Sequence, residues 1–285
     1  SYCTGLTSVT IGNGVKSIGD RAFSYCKGLV NVTFGNSVTK IGNSAFLNCA
    51  RLTSVTIPDS VTSIGKEAFY GCWELASVTI GNGVASIGDY AFYVCTKLTS
   101  VIIPDSTTSI GDYAFKSCSM LSSMIIGDSV ASIGNNAFDG CKGLTSIYYA
   151  GDIASWCGIS GLENIMRPSP VFEQPVHTLY IDGKKVEGAL VIPDSITVIG
   201  NYAFYGCKGL TSVIIPDSVT SIGESAFYGC TGLTSVTIPN SVKNIGGYAF
   251  GNCTSLKTIY YKGTKEEWDP IKKVSGWDSD TNYTI

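Results

Sequence analysis

Apolar and polar positions follow a fixed cycle along this chain. Between Leu52 and Cys72 the apolar places are Leu52, Val55, Ile57, Val61, Ile64, Ala68, Phe69 and Cys72, and most places between them are small or polar. The segment Leu52 to Ile57 alternates at its end and is rich in β-branched residues, which predicts a short strand. Pro58-Asp59-Ser60 predicts a turn. Val61 and Ile64 return inward, Gly65 permits another turn, and Ala68-Phe69 is expected in one short helical turn. Ala-Phe recurs at 22–23, 45–46, 68–69, 91–92, 114–115 and 137–138, then at 203–204, 226–227 and 249–250, in steps of 23 residues within each run. Three residues after each Phe stands a cysteine, from Cys26 to Cys141 and again at Cys207, Cys230 and Cys253, with Cys3 one period before Cys26.

One such unit cannot bury its own apolar side. Stacked units can, each covering the next, which is the logic of a solenoid with parallel strands from successive repeats. The pattern Leu-x-x-Val/Ile-x-Ile-Pro-x-x-Val-x-x-Ile-Gly-x-x-Ala-Phe-x-x-Cys, carried by residues 52–72, 210–230 and 233–253, resembles the BspA-like, Treponema-type group of leucine-rich repeats. The resemblance implies a strand-rich α/β leucine-rich-repeat solenoid, with a parallel sheet on one face and short helical turns on the other. The usual asparagine after the strand is replaced by Ser60, Ser106, Ser218 or Gly14. The repeat cysteine is expected to take a comparable internal place.

The cycle breaks between about 150 and 188. Ile147-Tyr148-Tyr149-Ala150-Gly151 leads to Trp156, and Ile259-Tyr260-Tyr261-Lys262-Gly263 leads to Trp268 at the same spacing. Both tryptophans fall where a repeat places its inward Ile, so both segments read as variant units covering an open core end with a large ring. The expected organisation is an array over 1–149, an irregular cap-like insert over 150–188, an array over 189–259 and a cap-like unit over 260–285. Residues 162–176, with Pro168, Pro170 and Pro175, read as an irregular loop. Asp182-Gly183 reads as a hairpin turn. Ser1 begins in mid-repeat, so the sequence reads as a piece of a longer protein.

Composition narrows the chemistry. Only 14% of residues are charged, net charge is −3, and no Lys/Arg stripe appears, which argues against a nucleic-acid partner. No apolar run is long enough to insert in a membrane. A single histidine, His177, makes a Ser-His-Asp or Cys-His site improbable. No catalytic set, cofactor motif or metal-binding cysteine pair is present. The carboxylates Asp59, Asp105, Asp194 and Asp217 follow the strand-end proline and read as turn residues. Ten of the 11 cysteines share the repeat position and read as buried free thiols. Cys157 stands outside it and is the thiol to watch for reactivity.

Function is expected on the strand face. Its outward positions early in the chain are small and polar: Thr7, Ser8 and Thr10, then Thr53, Ser54 and Thr56. Ile102, Ile125, Tyr148 and Ile214 later take the slot of Thr10 and Thr56, and Tyr260 takes it near the end. These five form the candidate protein-binding patch. The competing reading is that Ile and Tyr are good strand formers on a solvent face. Tyr90, Tyr113, Tyr202 and Tyr248 before Ala-Phe, with Tyr70, Tyr93, Tyr205 and Tyr228 after it, are a second aromatic row able to stack on sugars or anchor protein. Asn31, Asn252 and Asn282 match the glycosylation acceptor pattern. The expectation is a binding or adhesion module for a protein ligand such as a host or matrix protein, or for a glycan. The resemblance adds a secreted or surface-attached location. The alternative is a structural spacer without its own ligand.

Overall fold

Each cycle folds into one rung carrying two short strands. The computed structural model describes residues 1–167 and 177–278. The chain divides into two compact units. Among the described residues the first holds Ser1–Ala150, and the second holds Gly151–Arg167 and 177 onward. The proline-bearing segment from 168 and the Asn282 acceptor lie outside the described residues.

In the first unit the strands Ser8–Thr10, Asn31–Thr33, Ser54–Thr56, Ser77–Thr79, Ser100–Ile103, Ser123–Ile126 and Ser146–Tyr149 follow one another. Neighbours run parallel with a register equal to the repeat, so that Ser54 faces Ser77 and Met124 faces Ile147. Identical side chains therefore stack, and one rung's solution to packing serves the next. A second parallel sheet was not foreseen. It is built from two-residue strands, Ser17–Ile18, Lys40–Ile41, Ser63–Ile64, Ser86–Ile87, Ser109–Ile110 and Ser132–Ile133. These strands carry the inward Ile that follows the turn.

The expected helical turns at Ala-Phe are corrected. The chain there makes non-helical turns with two left-handed corners, at Glu67 (φ 57°) and Gly71 (φ 68°) in the rung of Phe69. A stretch this short cannot repay helix nucleation. Alternate N–H groups bond sideways instead: Phe69 N–H donates to Ala91 O at 2.8 Å and Phe46 N–H to Ala68 O at 2.8 Å, while Ala68 N–H stays within its turn on Gly65 O at 3.2 Å.

The core is a set of ladders. Phe23, Phe46, Phe69, Phe92, Phe115 and Phe138 stack with centroids 5.1–5.3 Å apart. The cysteines form a second ladder. Cys49, Cys72, Cys95, Cys118 and Cys141 each donate through Sγ to a Phe carbonyl 26 residues back, at 3.2–3.4 Å. Cys230 and Cys253 do the same to Phe204 and Phe227. This is the internal place expected for the repeat cysteine, now with a polar function as well as a packing one. Burial pushes the Cys49 thiol up to about 12 and the Cys95 thiol well above its ordinary value.

The second unit repeats the plan. Gly188–Val191, Leu210–Ile214, Ser235–Ile238 and Thr258–Tyr261 form one parallel sheet, and Val198–Ile199, Ser221–Ile222, Asn244–Ile245 and Lys272–Lys273 form the other. The Asp182-Gly183 turn joins antiparallel strands Thr178–Ile181 and Lys184–Lys185, with φ of 49° and 67° at the two turn residues. Trp156 sits in a helix, Ile153–Gly158, capped by the Asp152 carboxylate accepting from Ser155 N–H at 2.8 Å. Its indole N–H donates to Ala203 O at 2.7 Å. An inner rung meets that carbonyl with the N–H of the preceding phenylalanine, so the indole closes the open start of the Phe204 ladder. At the far end the ladder meets Trp277, edge-on to Phe250 at 6.3 Å, and Trp277 packs on Trp268 at 5.8 Å.

Candidate binding surface

The strand face presents its side chains in columns because the register equals the repeat. Ile125 faces Ile102 on one side and Tyr148 on the other. Ile102 is 58% exposed, Ile125 39% exposed and Tyr148 half-exposed. Three large side chains thus form one unbroken apolar stripe on adjacent strands of the first unit. The same column earlier in that unit holds Thr10, Thr33, Thr56 and Thr79, all exposed. Thr33, Thr56, Thr79 and Ile102 line a shallow open groove of about 670 Å³.

In the second unit Ile214 is 46% and Tyr260 58% exposed. They are not adjacent, since Thr237 stands between them in register. Val191 was missed by sequence reasoning. It is 58% exposed and faces Ile214, extending the stripe by one strand. It stands 23 residues before Ile214, and the broken period ahead of it hid the match. Trp73, exposed on the first unit, was also missed. It follows a ladder cysteine, where other repeats place Lys, Thr, Ser or Ala.

The polar groups that invited other chemistry are occupied by the scaffold. Asp59 and Asp105 accept the backbone N–H of Asn82 and Asp128 at 2.7 and 3.2 Å. Asp217 pairs with Lys262 at 3.1 Å. Asp59 and Asp105 thus tie one rung to the next, and Asp217 reaches two rungs on. The expectation of a reactive Cys157 is corrected: the residue is buried, and burial pushes its thiol up to about 12, leaving no thiolate near neutrality. Cys3 is the exposed cysteine of the chain.

The tyrosine rows stack on themselves. Tyr70 lies on Tyr93 and Tyr90 on Tyr113, each with centroids 4.8 Å apart, and Tyr205 lies on Tyr228 at 5.1 Å. Lys116 lies over Tyr113 at 5.3 Å while bonding Asp139 at 2.7 Å. The ring faces a sugar would need are largely spent on neighbours, leaving edges and hydroxyls outward. Tyr202 uses its hydroxyl to bond Glu224 at 3.0 Å. His177 is buried beside the hairpin.

The chain matches the family of BspA type leucine rich repeat regions in 6 copies, over residues 1–84, 39–157 and 185–269. Among curated proteins none matches. A leucine rich cell surface protein from Faecalibacterium prausnitzii is similar at 32% identity, with 96% of this chain and 78% of that one covered and a TM-score of 0.48. A leucine-rich repeat protein from Eubacterium ventriosum is 26% identical over 89% of this chain and 67% of that one, TM-score 0.48. One from Bacteroides ovatus is 23% identical over 100% and 85%, TM-score 0.47. The family assignment rests on the repeat match, which covers most of the sequence. The chain belongs to the BspA-type leucine-rich repeat family.

Proposed function

We propose that this member of the BspA-type family is a binding module at or outside the bacterial surface, holding a protein partner against its strand face. The observation that carries the reading is the stripe Ile102–Ile125–Tyr148, two exposed isoleucines and a half-buried tyrosine in register on adjacent strands. Ile102 and Ile125 are 58% and 39% exposed, so a partner covering them would recover about 1 kcal/mol each. The flanking serines of the strand face, Ser100, Ser123 and Ser146, supply a polar rim of the kind interfaces use. In the second unit Val191, Ile214 and Tyr260 are the matching candidates. The surface location is carried over from the Faecalibacterium relative, whose description gives it for that protein.

The test is a label-free binding screen of the chain against extracellular-matrix proteins, with an Ile125→Asp/Tyr148→Asp variant alongside. The expected result is a saturable partner whose binding the variant abolishes. Binding that survives in a folded variant refutes the stripe, and no partner from a folded sample favours the spacer reading.

A further inference from the structure

We propose that Asn82 is a modification site, where spontaneous deamidation places a new carboxylate in the strand-face groove of the first unit. Asn82 is exposed and lines that groove with Thr33, Thr56, Thr79 and Ile102. Gly83 follows it, so the attacking nitrogen carries no side chain to shield it. The reaction needs water alone. The Gly83 nitrogen attacks Cγ of Asn82, the Cγ–Nδ2 bond breaks, and ammonia leaves with the proton from Gly83 N. Water then opens the five-membered imide. Entry at Cγ gives an aspartyl side chain. Entry at the main-chain carbonyl gives an isoaspartyl residue, whose backbone is one methylene longer. The sum is one water taken up and one ammonia released.

The chain carries its own control. Residues 8–15 and 77–84 are identical, so Asn13-Gly14 and Asn82-Gly83 share one intrinsic reactivity, and both asparagines are exposed. What differs is the next rung. Asn13 Oδ1 accepts Asn36 N–H at 3.0 Å, which pins its amide to the neighbouring rung. Asp59 and Asp105 are pinned in the same way by Asn82 and Asp128. Glycine precedes each of the three donors, at Gly35, Gly81 and Gly127, and a Cβ there would collide with the rung before. The missing Cβ is what lets the donor come within reach. The rung after Asn82 has Pro104 in that place, with its Cβ and ring. Among the described residues no hydrogen bond holds the Asn82 side chain or the Gly83 N–H. Gly83 is fixed by packing, since a Cβ there would collide with the Asp59 carbonyl oxygen.

The product adds one negative charge to the chain's −3. It falls on the residue whose N–H already bonds the Asp59 carboxylate at 2.7 Å, in a groove that Ile102 also lines. The strand face thus gains charge beside the first residue of the apolar stripe. The reaction stands apart from the binding reading, because it needs no ligand.

The experiment ages the full chain in mildly alkaline heavy-oxygen water, native and unfolded in guanidinium, and follows each asparagine by peptide mapping with mass spectrometry. In the unfolded chain Asn13 and Asn82 should convert at one rate. In the native chain Asn82 should convert about fivefold faster than Asn13, the factor that one net hydrogen bond represents. Asn82→Gln, which would need a six-membered ring, should stop the change at that position and leave Asn13 as it was. Pro104→Gly introduces the residue that other rungs use there. It should bring the Asp105 N–H onto Asn82 and slow its conversion to the rate of Asn13, with an unchanged melting temperature showing that the fold is kept. The proposal is overturned if native Asn82 converts no faster than Asn13, if heavy oxygen enters residue 82 only in the unfolded chain, or if a folded Pro104→Gly chain ages at Asn82 as fast as its parent.

Discussion

Replacing Phe92 by alanine tests whether the stacked rungs act as nearest neighbours. Phe92 is fully buried and lies between Phe69 at 5.3 Å and Phe115 at 5.1 Å, nearly parallel to both. Truncating a buried Phe to Ala costs about 3–5 kcal/mol in transfer and cavity terms. Phe92 loses two ring pairs, each contributing about 0.5–1.5 kcal/mol, so the upper part of that range, near 4 kcal/mol, is expected. Phe23 is half-exposed and has one stacked ring, Phe46 at 5.3 Å. Phe23→Ala should therefore cost about 2 kcal/mol, since a solenoid rung couples only to its neighbours. At about 2–4 °C per kcal/mol the two variants should melt about 5 °C apart. Phe92→Leu keeps apolar volume but not the stack and should fall between them. The assay is urea unfolding followed by circular dichroism, with denaturant slopes compared so that a shift to stepwise unfolding is seen. Equal losses for Phe92→Ala and Phe23→Ala would falsify the nearest-neighbour account.

The remaining predictions concern the thiols and the corners. In the native chain a maleimide should label one cysteine, Cys3, against all 11 in denaturant, and mass spectrometry counts them. The buried thiols should also make the fold sensitive to alkali. An unfolded cysteine loses its proton near the ordinary value of 9.0, whereas native Cys49 and Cys253 hold theirs to about 12. Their contribution to stability is therefore full below pH 9 and is lost as pH rises through the native values. Each such thiol adds up to about 1.4 kcal/mol per pH unit, and Cys49→Ala should flatten the slope of unfolding free energy against pH. Gly229 sits at φ 70°, and a Cβ there would meet only Gly206 Cα at 3.9 Å, an ordinary van der Waals contact. Gly229→Ala should cost about 1 kcal/mol from left-handed strain alone, and Gly229→Asn should recover most of it. An unchanged melting temperature for Gly229→Ala would refute the strain account.

Much of the scaffold was legible because a repeat register makes one rung stand for all. Leu52, Val55, Ile57, Val61, Ile64, Phe69 and Cys72 are all buried, as their spacing requires. The second sheet was not legible: two residues such as Ser63 and Ile64 are too few to show a strand period, and their pairing exists only between rungs. The corners misled for a related reason. Ala-Phe looks helical alone, but the Phe N–H is satisfied by the next repeat, and residues such as Tyr90 and Val94 accept positive φ to allow it. Ile102, Ile125 and Tyr148 could be picked out as departures from a threonine column, and the register brings them together. Val191 escaped because the insert before it hides its column.

The same register that makes the core predictable also locates where function can differ. Inward positions answer to their neighbours above and below: an altered Phe or Cys disturbs two interfaces, as the stacked rings and the 3.1–3.4 Å thiol contacts show. Outward positions answer to solvent or to a partner, so the scaffold tolerates change there at little cost. A threonine at 10, 33, 56 and 79 is what an unengaged strand face needs. The switch to Ile102, Ile125 and Tyr148 leaves the rung geometry unchanged, with Ser100, Ser123 and Ser146 still aligned. It adds apolar surface to the strand face, most of it exposed at Ile102 and Ile125. That asymmetry makes the stripe, rather than the far more numerous ladder residues, the place where substitution should separate binding from stability.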